Sequence, residues 1–302
     1  MIAYLARRDA LVALCSIVAT ACAPAAGAGS SPTPPVAPSA SHPGALVEIE
    51  SSVGGRVGVF AIDTGTGRTV AHRENERFAM CSTFKWALVA AALAMVDRSE
   101  TTRGERLAYG KADLLEHAPV TTEHLADGAM TVEALARAAV TVSDNTAANL
   151  LLAKVGGPTG LTRFLRTLGD QVTRLDRNEP TLNQNEPGDV RDTTSPQAMV
   201  GLLQAVLCGN TLSRPSRERL LGLMRACETG HGRLRAGLPA GWMVGDKTGT
   251  GSNGACNDVA IAVPPGRAPI LVAAYLSDGR ASGEALEAAQ AAIARLVSAT
   301  LG

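Results

Sequence analysis

The chain has 302 residues, enough for one large domain or two ordinary ones around a real core. Lys+Arg and Asp+Glu each total 28, and this zero net charge argues against a protein that neutralises nucleic-acid phosphates. Apolar residues make up 46% and charged residues 19%, as in a packed globule, while two Trp, three Tyr and four Phe are too few for a stacking platform.

Arg7-Arg8 is followed by an apolar run, Ala10 to Ala21, that is too short to span a bilayer but has the length of a signal-peptide core. Residues 1–22 are therefore expected to be an export signal, which sends the protein to the periplasm or the exterior. Ala19-Thr20-Ala21 fits a cleavage site, and Cys22 follows it. Three alternatives stay open: a lipid anchor at Cys22, a twin-arginine signal, or an ordinary signal in which Cys22 has no role. Residues 23–43 form a Pro/Ala/Ser/Gly tether that cannot bury a core. Beyond the leader stand Cys81, Cys208, Cys227 and Cys256, enough for a bridge but not for a disulfide scaffold.

Arg56–Asp63 and Thr69–His72 read as strands around a Thr-Gly-Thr-Gly turn. Helices are predicted over Ser82–Val96, Thr131–Val142, Asn145–Val155, Leu161–Leu168 and Pro196–Leu207. Between Gly169 and Thr194 lies a long polar stretch without periodicity, and a loop of that length in a compact domain is usually functional. Trp242–Thr250, Asn257–Val263 and Ile270–Ser277 read as strands, and Gly283–Leu301 as a closing amphipathic helix. Strands at both ends with helices between predict one sheet made from the two termini, an inserted helical lobe, and a small-molecule site in the cleft between them.

Four short elements carry chemistry. In Ser82-Thr83-Phe84-Lys85 the i, i+3 spacing puts an amine on the same helix face as a hydroxyl, and a lysine of depressed pKa can activate a serine. Alone, this pattern is weak and reads rather as a capping serine and a solvated lysine. Ser143-Asp144-Asn145 links two helices, with Ser143 and Asn145 free to face a cleft while Asp144 ties the turn. Lys247-Thr248-Gly249 ends a strand, where a cation and a hydroxyl can meet a carboxylate and Gly249 leaves room for a ligand. In the long loop, Glu179 and Asn183 are spaced to hold one water between a carboxylate and an amide. The chain has four lysines against 24 arginines, and two of the four fall in these elements.

Together and in this order the elements resemble the class A serine β-lactamases, from about Gly44 to the C-terminus. The resemblance implies an α/β (α+β) two-lobed fold: an antiparallel five-stranded sheet from the N- and C-terminal segments flanked by helices, and an inserted all-α lobe. The sheet lobe is expected over 44–75 and 225–302, and the helical lobe over 76–224, including an omega-type loop at 175–194. It further implies that Ser82 is acylated by the β-lactam carbonyl, with Lys85 or Glu179, through water, taking its proton. The N–H groups of Ser82 and Thr250 would form the oxyanion hole. Ser143 would pass a proton to the leaving nitrogen, and Asn145 would bind the substrate's side-chain amide. Lys247, Thr248 and Thr250, beside Gly249, would receive its carboxylate. Glu179 and Asn183 would direct water at the acyl-enzyme, with no metal or cofactor. Arg177 and Asp192 match the ion pair that closes the family's loop, and Glu179–Pro180 its cis peptide.

The sequence also departs from the pattern. Many members carry a carboxylate-binding arginine where this chain has Cys256, and Arg233 is expected to substitute for it. Cys81 occurs in several carbapenem-hydrolysing members, but the cysteine that bridges it there is Gly251 here. His117 stands where many members place an aromatic at the cleft rim, and reads equally as a substrate contact or an exposed loop histidine. Gly249-x-Gly251-x-x-Gly254 matches a dinucleotide fingerprint but lies between two strands, and the five histidines have no metal-ligand spacing. The rival readings are a D-alanyl peptidase or transpeptidase, which lacks the Glu179–Asn183 pair, and a penicillin sensor, expected to carry a membrane segment or output domain. Nothing calls for more than a monomer, with a small-molecule partner.

Overall fold

The computed structural model describes residues 43–302. The export signal, Cys22 and the tether up to residue 42 lie outside the described residues. Helix α1 (Pro43–Val53) precedes strand β1 (Arg56–Asp63), which returns through a tight turn as β2 (Thr69–His72). A short strand, β3 (Phe78–Ala79), and a 3-10 turn at Cys81–Thr83 lead into α2 (Phe84–Asp97). There follow β4 (Arg106–Ala108), α3 (Pro119–Glu123), β5 (Ala129–Thr131), α4 (Val132–Thr141), α5 (Asn145–Lys154) and α6 (Gly157–Thr167). After the long loop come β6 (Thr193–Thr194), α7 (Pro196–Leu203), α8 (Arg214–Arg225) and the single turn α9 (Leu234–Gly237). The chain ends with β7 (Met243–Thr250), β8 (Cys256–Val263), β9 (Ile270–Ser277) and α10 (Gly283–Leu301).

The main sheet has five antiparallel strands in the order β2-β1-β9-β8-β7. Its centre joins the two ends of the chain, with Arg56 opposite Ser277 and Asp63 opposite Ile270. Every residue of β9 is buried, because both faces of the sheet are covered. The period of two divides them: Leu271, Ala273 and Tyr275 face a core shared with the helices, and Ile270, Val272, Ala274 and Leu276 face another. The second core is closed by Leu46 of α1, Leu234 of α9 and Leu286, Ile293, Val297 and Leu301 of α10.

On the other face α2 is the central helix, packed by α4, α5 and α8. Its residues Phe84 to Ala94 are all buried, so it has no polar face to show water. Lys85 lies within that run, and burying an ammonium there requires acceptors for its protons. Helices α4, α5, α7 and α10 begin where Thr131, Asp144, Ser195 and Ser282 accept a backbone N–H, which is why the predicted starts lie close to the observed ones. Between α6 and β6 the only described helical element is the turn Thr181–Asn183, as the polar, proline-bearing sequence predicts.

The short α3 and α9 and the two-stranded pairs β3–β6 and β4–β5 are absent from the sequence reading, and three longer features differ from it. α1 begins at Pro43, the last residue assigned to the tether. α8 was not expected, because its first half, Arg-Pro-Ser-Arg-Glu-Arg, is polar and its buried leucines and methionine come only afterwards. α7 stops at Leu203, and the predicted helix continues as one π turn, Gln204–Cys208.

Candidate active site

Ser82 sits in the 3-10 turn just ahead of α2. The backbone there is held from both sides. Met80 N–H donates to Asp192 O at 2.9 Å, and Asn257 Nδ2 donates to Ala79 O at 2.9 Å and Met80 O at 3.3 Å. Cys81 takes a left-handed φ of +46° within this frame. β7 runs so close that a Cβ on Gly249 would lie 2.7 Å from Met80 O and 3.1 Å from Ser82 N, so only glycine lets the strand pass the Ser82 turn.

The Ser82 hydroxyl donates to Glu179 Oε1 at 3.2 Å. The same oxygen lies 2.9 Å from Lys85 Nζ, and both side chains of that ion pair are fully buried. Lys85 also donates to Asn145 Oδ1 at 2.5 Å, Ser143 O at 2.8 Å and Ser143 Oγ at 3.2 Å. The spacing of Ser82 and Lys85 predicts a direct meeting of amine and hydroxyl. Instead, among the described residues, no hydrogen bond joins the two, and Glu179 stands between them. The reason is geometric: Ser82 precedes the first α-helical turn, and the amine is drawn to the acceptors of the Ser143–Asn145 segment. Burial pushes the Lys85 amine below its ordinary pKa, against the pull of the Glu179 charge.

Ser143 and Asn145 are aimed by Asp144. That carboxylate is fully buried and accepts from Val120 N, Thr121 N, Thr121 Oγ1 and Ala147 N, all between 2.8 and 3.1 Å. It caps α5 and leaves its two neighbours facing the cleft, with Ser143 at φ +62°. Ser143 Oγ is reached by both cations, from Lys85 and from Lys247 at 3.1 Å. Burial, aided by the Lys85 charge, lowers the Lys247 pKa to about 8.

Glu179 and Asn183 come together as the sequence predicts: Asn183 Nδ2 donates to Glu179 Oε2 at 2.6 Å. The Glu179–Pro180 bond is cis. Arg177 pairs with Asp192 at 2.5 Å, and Asp192 Oδ1 also accepts from Asp176 N and Arg177 N, closing the loop on itself. Asn149 escaped the sequence reading. Its amide brackets the Glu179 backbone, donating to Glu179 O at 2.9 Å and accepting from Glu179 N at 3.0 Å. Its one signal is a place on α5 four residues after Asn145, hence on the same helix face.

Arg233 lies beneath the end of β7. It donates to Gly249 O at 3.0 Å, Asn257 O at 2.9 Å and Thr250 Oγ1 at 2.7 Å, so its guanidinium meets the Lys247–Thr250 strand although it comes from a different segment. Thr229, also unanticipated, hydrogen-bonds Thr248 through their hydroxyls at 2.5 Å. His117 is exposed at the opening, with Nε2 3.0 Å from Val142 O and its backbone carbonyl accepting from Asn145 N. These groups line a cavity of about 340 Å³: Ser82, His117, Ser143, Asn145, Asn183, Thr229, Arg233, Thr248, Gly249 and Thr250. Cys81, Cys208, Cys227 and Cys256 are free thiols.

A sheet flanked by helices thus brings these four elements together on one cleft. The match to a model of the β-lactamase enzyme family extends over residues 45–301. β-Lactamase AST-1 of Nocardia asteroides is 45% identical over 97% of this chain and 94% of its own. The carbapenem-hydrolysing β-lactamase KPC of Klebsiella oxytoca is 46% identical over 85% of this chain and 88% of its own. Among solved structures, an ancestral class A β-lactamase superposes with a TM-score of 0.83 at 54% identity, covering 84% of this chain and 98% of that one. The chain belongs to the class A β-lactamases, the hydrolases that open β-lactams.

Proposed function

We propose that the enzyme opens penicillin- and cephalosporin-type β-lactams through a Ser82 acyl-enzyme, which Glu179 then hydrolyses, and thereby confers antibiotic resistance. The observation that carries this reading is the sharing of one carboxylate: Glu179 Oε1 accepts from Ser82 Oγ, and Oε2 accepts from Asn183 Nδ2. A base within reach of the nucleophile, steadied by an amide, suits proton removal before acylation and water activation after it. Lys85, held beside both by burial and charge, is the other acceptor for the Ser82 proton.

Ser82 Oγ bonds to the lactam carbonyl carbon, and the N–H groups of Ser82 and Thr250 stabilise the oxyanion. The C–N bond then breaks, and Ser143 hands its proton to the leaving nitrogen while Lys85 and Lys247 supply positive charge around its oxygen. Lys247, Thr248, Thr250 and Arg233 receive the substrate carboxylate; Asn145 takes the side-chain amide and His117 touches the substrate at the rim. Water directed by Glu179 and Asn183 adds to the ester carbonyl and releases Ser82.

The proposal includes export, with 1–22 as the signal and 23–43 as the tether, and a monomer of two lobes, 44–75 with 225–302 and 76–224. The test compares the wild type with Glu179→Ala on a chromogenic cephalosporin. Sustained turnover by the wild type, with the variant trapped as a covalent adduct on Ser82, is the expected result. A single stoichiometric burst from the wild type would overturn the reading in favour of a penicillin-binding peptidase or sensor.

A further inference from the structure

The loop that carries Glu179 and Asn183 is fastened to the turn after β7 by two asparagines. Asn185 and Asn253 both adopt left-handed backbone, at φ +47° and +52°, which asparagine tolerates better than most side chains. Each sends its amide across to the other's segment. Asn185 Nδ2 donates to Ser252 O and to Ser277 Oγ, both at 3.0 Å, and Asn253 Nδ2 donates to Asn185 O at 2.7 Å. Between them Ser252 N–H donates to Asn183 O at 2.9 Å, and Asp278 N–H ties Asn253 O to the end of β9 at 2.7 Å. The fit is close, since a Cβ on Gly251 would lie 2.6 Å from Asn183 O.

This turn follows Thr250 directly. One side of it therefore ends the strand that offers the Thr250 N–H, and the other holds the backbone of Asn183, whose amide fixes Glu179 Oε2. Neither Asn185 nor Asn253 lines the cleft. Glu179 itself is anchored separately, by Asn149 on its backbone and Lys85 on Oε1. We infer that Asn185 and Asn253 are positioning residues for deacylation: their clasp sets Asn183 and Glu179 Oε2 against the acyl carbonyl, whereas acylation uses Oε1, held by Lys85, and a strand end held by Arg233. This rests on the proposed deacylating role of Glu179.

Asn185→Gly and Asn253→Gly allow the left-handed backbone and delete the side-chain amide, at some cost in backbone freedom. With a chromogenic cephalosporin, each variant is expected to lose kcat roughly five- to thirty-fold, the effect of one or two hydrogen bonds. KM should fall in parallel, kcat/KM should stay within about twofold of the wild type, and a pre-steady-state burst should count the folded enzyme. The double variant should lose little more than the worse single one, because the two amides close a single clasp. Equal losses in kcat and kcat/KM, or an unchanged kcat, would overturn the inference. Glu179→Gln is measured alongside. If it accumulates acyl-enzyme while the glycine variants turn over normally, the clasp fails and the role of Glu179 stands. If it turns over like the wild type, that role falls and the clasp inference falls with it.

Discussion

Two buried lysines converge on the Ser143 hydroxyl, and the lowered pKa of Lys247 is expected to set an alkaline limit on activity. The Lys247 pKa of about 8 means that its ammonium is present below that pH and is lost as pH rises through it. For a carboxylate-bearing β-lactam, kcat/KM is therefore expected to fall above about pH 8, and Lys247→Arg, which does not titrate there, to carry activity further into the alkaline range. A pH profile of kcat/KM for both proteins checks this, and an unchanged alkaline limb in the variant would assign it to another group. Ser82, Lys85, Ser143, Asn145, Glu179, Asn183 and Lys247 to Thr250 were legible because reactive residue types recur at fixed short spacings. Asn149 and Thr229 were not. Each is a lone polar residue whose meaning arises from a partner 30 or 19 positions away, Glu179 and Thr248.

At the scale of elements, strands showed plainly where β-branched runs end at Gly or Pro turns, and helices where a capping side chain precedes an apolar stripe. α1 showed neither sign, as it emerges from a proline- and serine-rich stretch. Its place depends on Glu50, which accepts from Val57 N and pairs with His72 and Arg73 on the neighbouring hairpin. The Arg73 hydrogen bond, foremost among these, holds the Glu50 carboxyl at about 2, below its ordinary 4.5. A depressed carboxyl stabilises the fold above the unfolded pKa, and that contribution drains away as pH falls toward the folded one. Glu50→Gln is thus expected to cost about 1 kcal/mol at neutral pH, since the pair with Arg73 is partly screened by solvent, and to flatten the loss of stability between about pH 4.5 and 2. Chemical denaturation at neutral pH and near pH 3 measures both, and parallel acid profiles for the two proteins would exclude the role.

Seen whole, the molecule has one main sheet with a separate core on each face, and α10 closes the face that the helices of the middle segment do not reach. The middle helices pack largely on one another and on the sheet, with α2 against α8, whereas the sheet needs β1 paired to β9 across more than two hundred residues. The antiparallel sheet could be anticipated from strands at both ends of the chain; the register and the sharing of β9 between two cores could not, because they depend on packing across the sheet. During synthesis, then, the edge of β1 that meets β9 is expected to stay unpaired until β9 has emerged from the ribosome. Long-range pairing of this kind is slow and leaves apolar edges open. Stalled nascent chains ending before Ile270 should remain open to protease at β1, and protection should begin only once Ser277 has cleared the exit tunnel. A message broken late in the gene is expected to leave both the sheet and the helical core that shares Leu271, Ala273 and Tyr275 unfinished, a substrate for quality control rather than an enzyme.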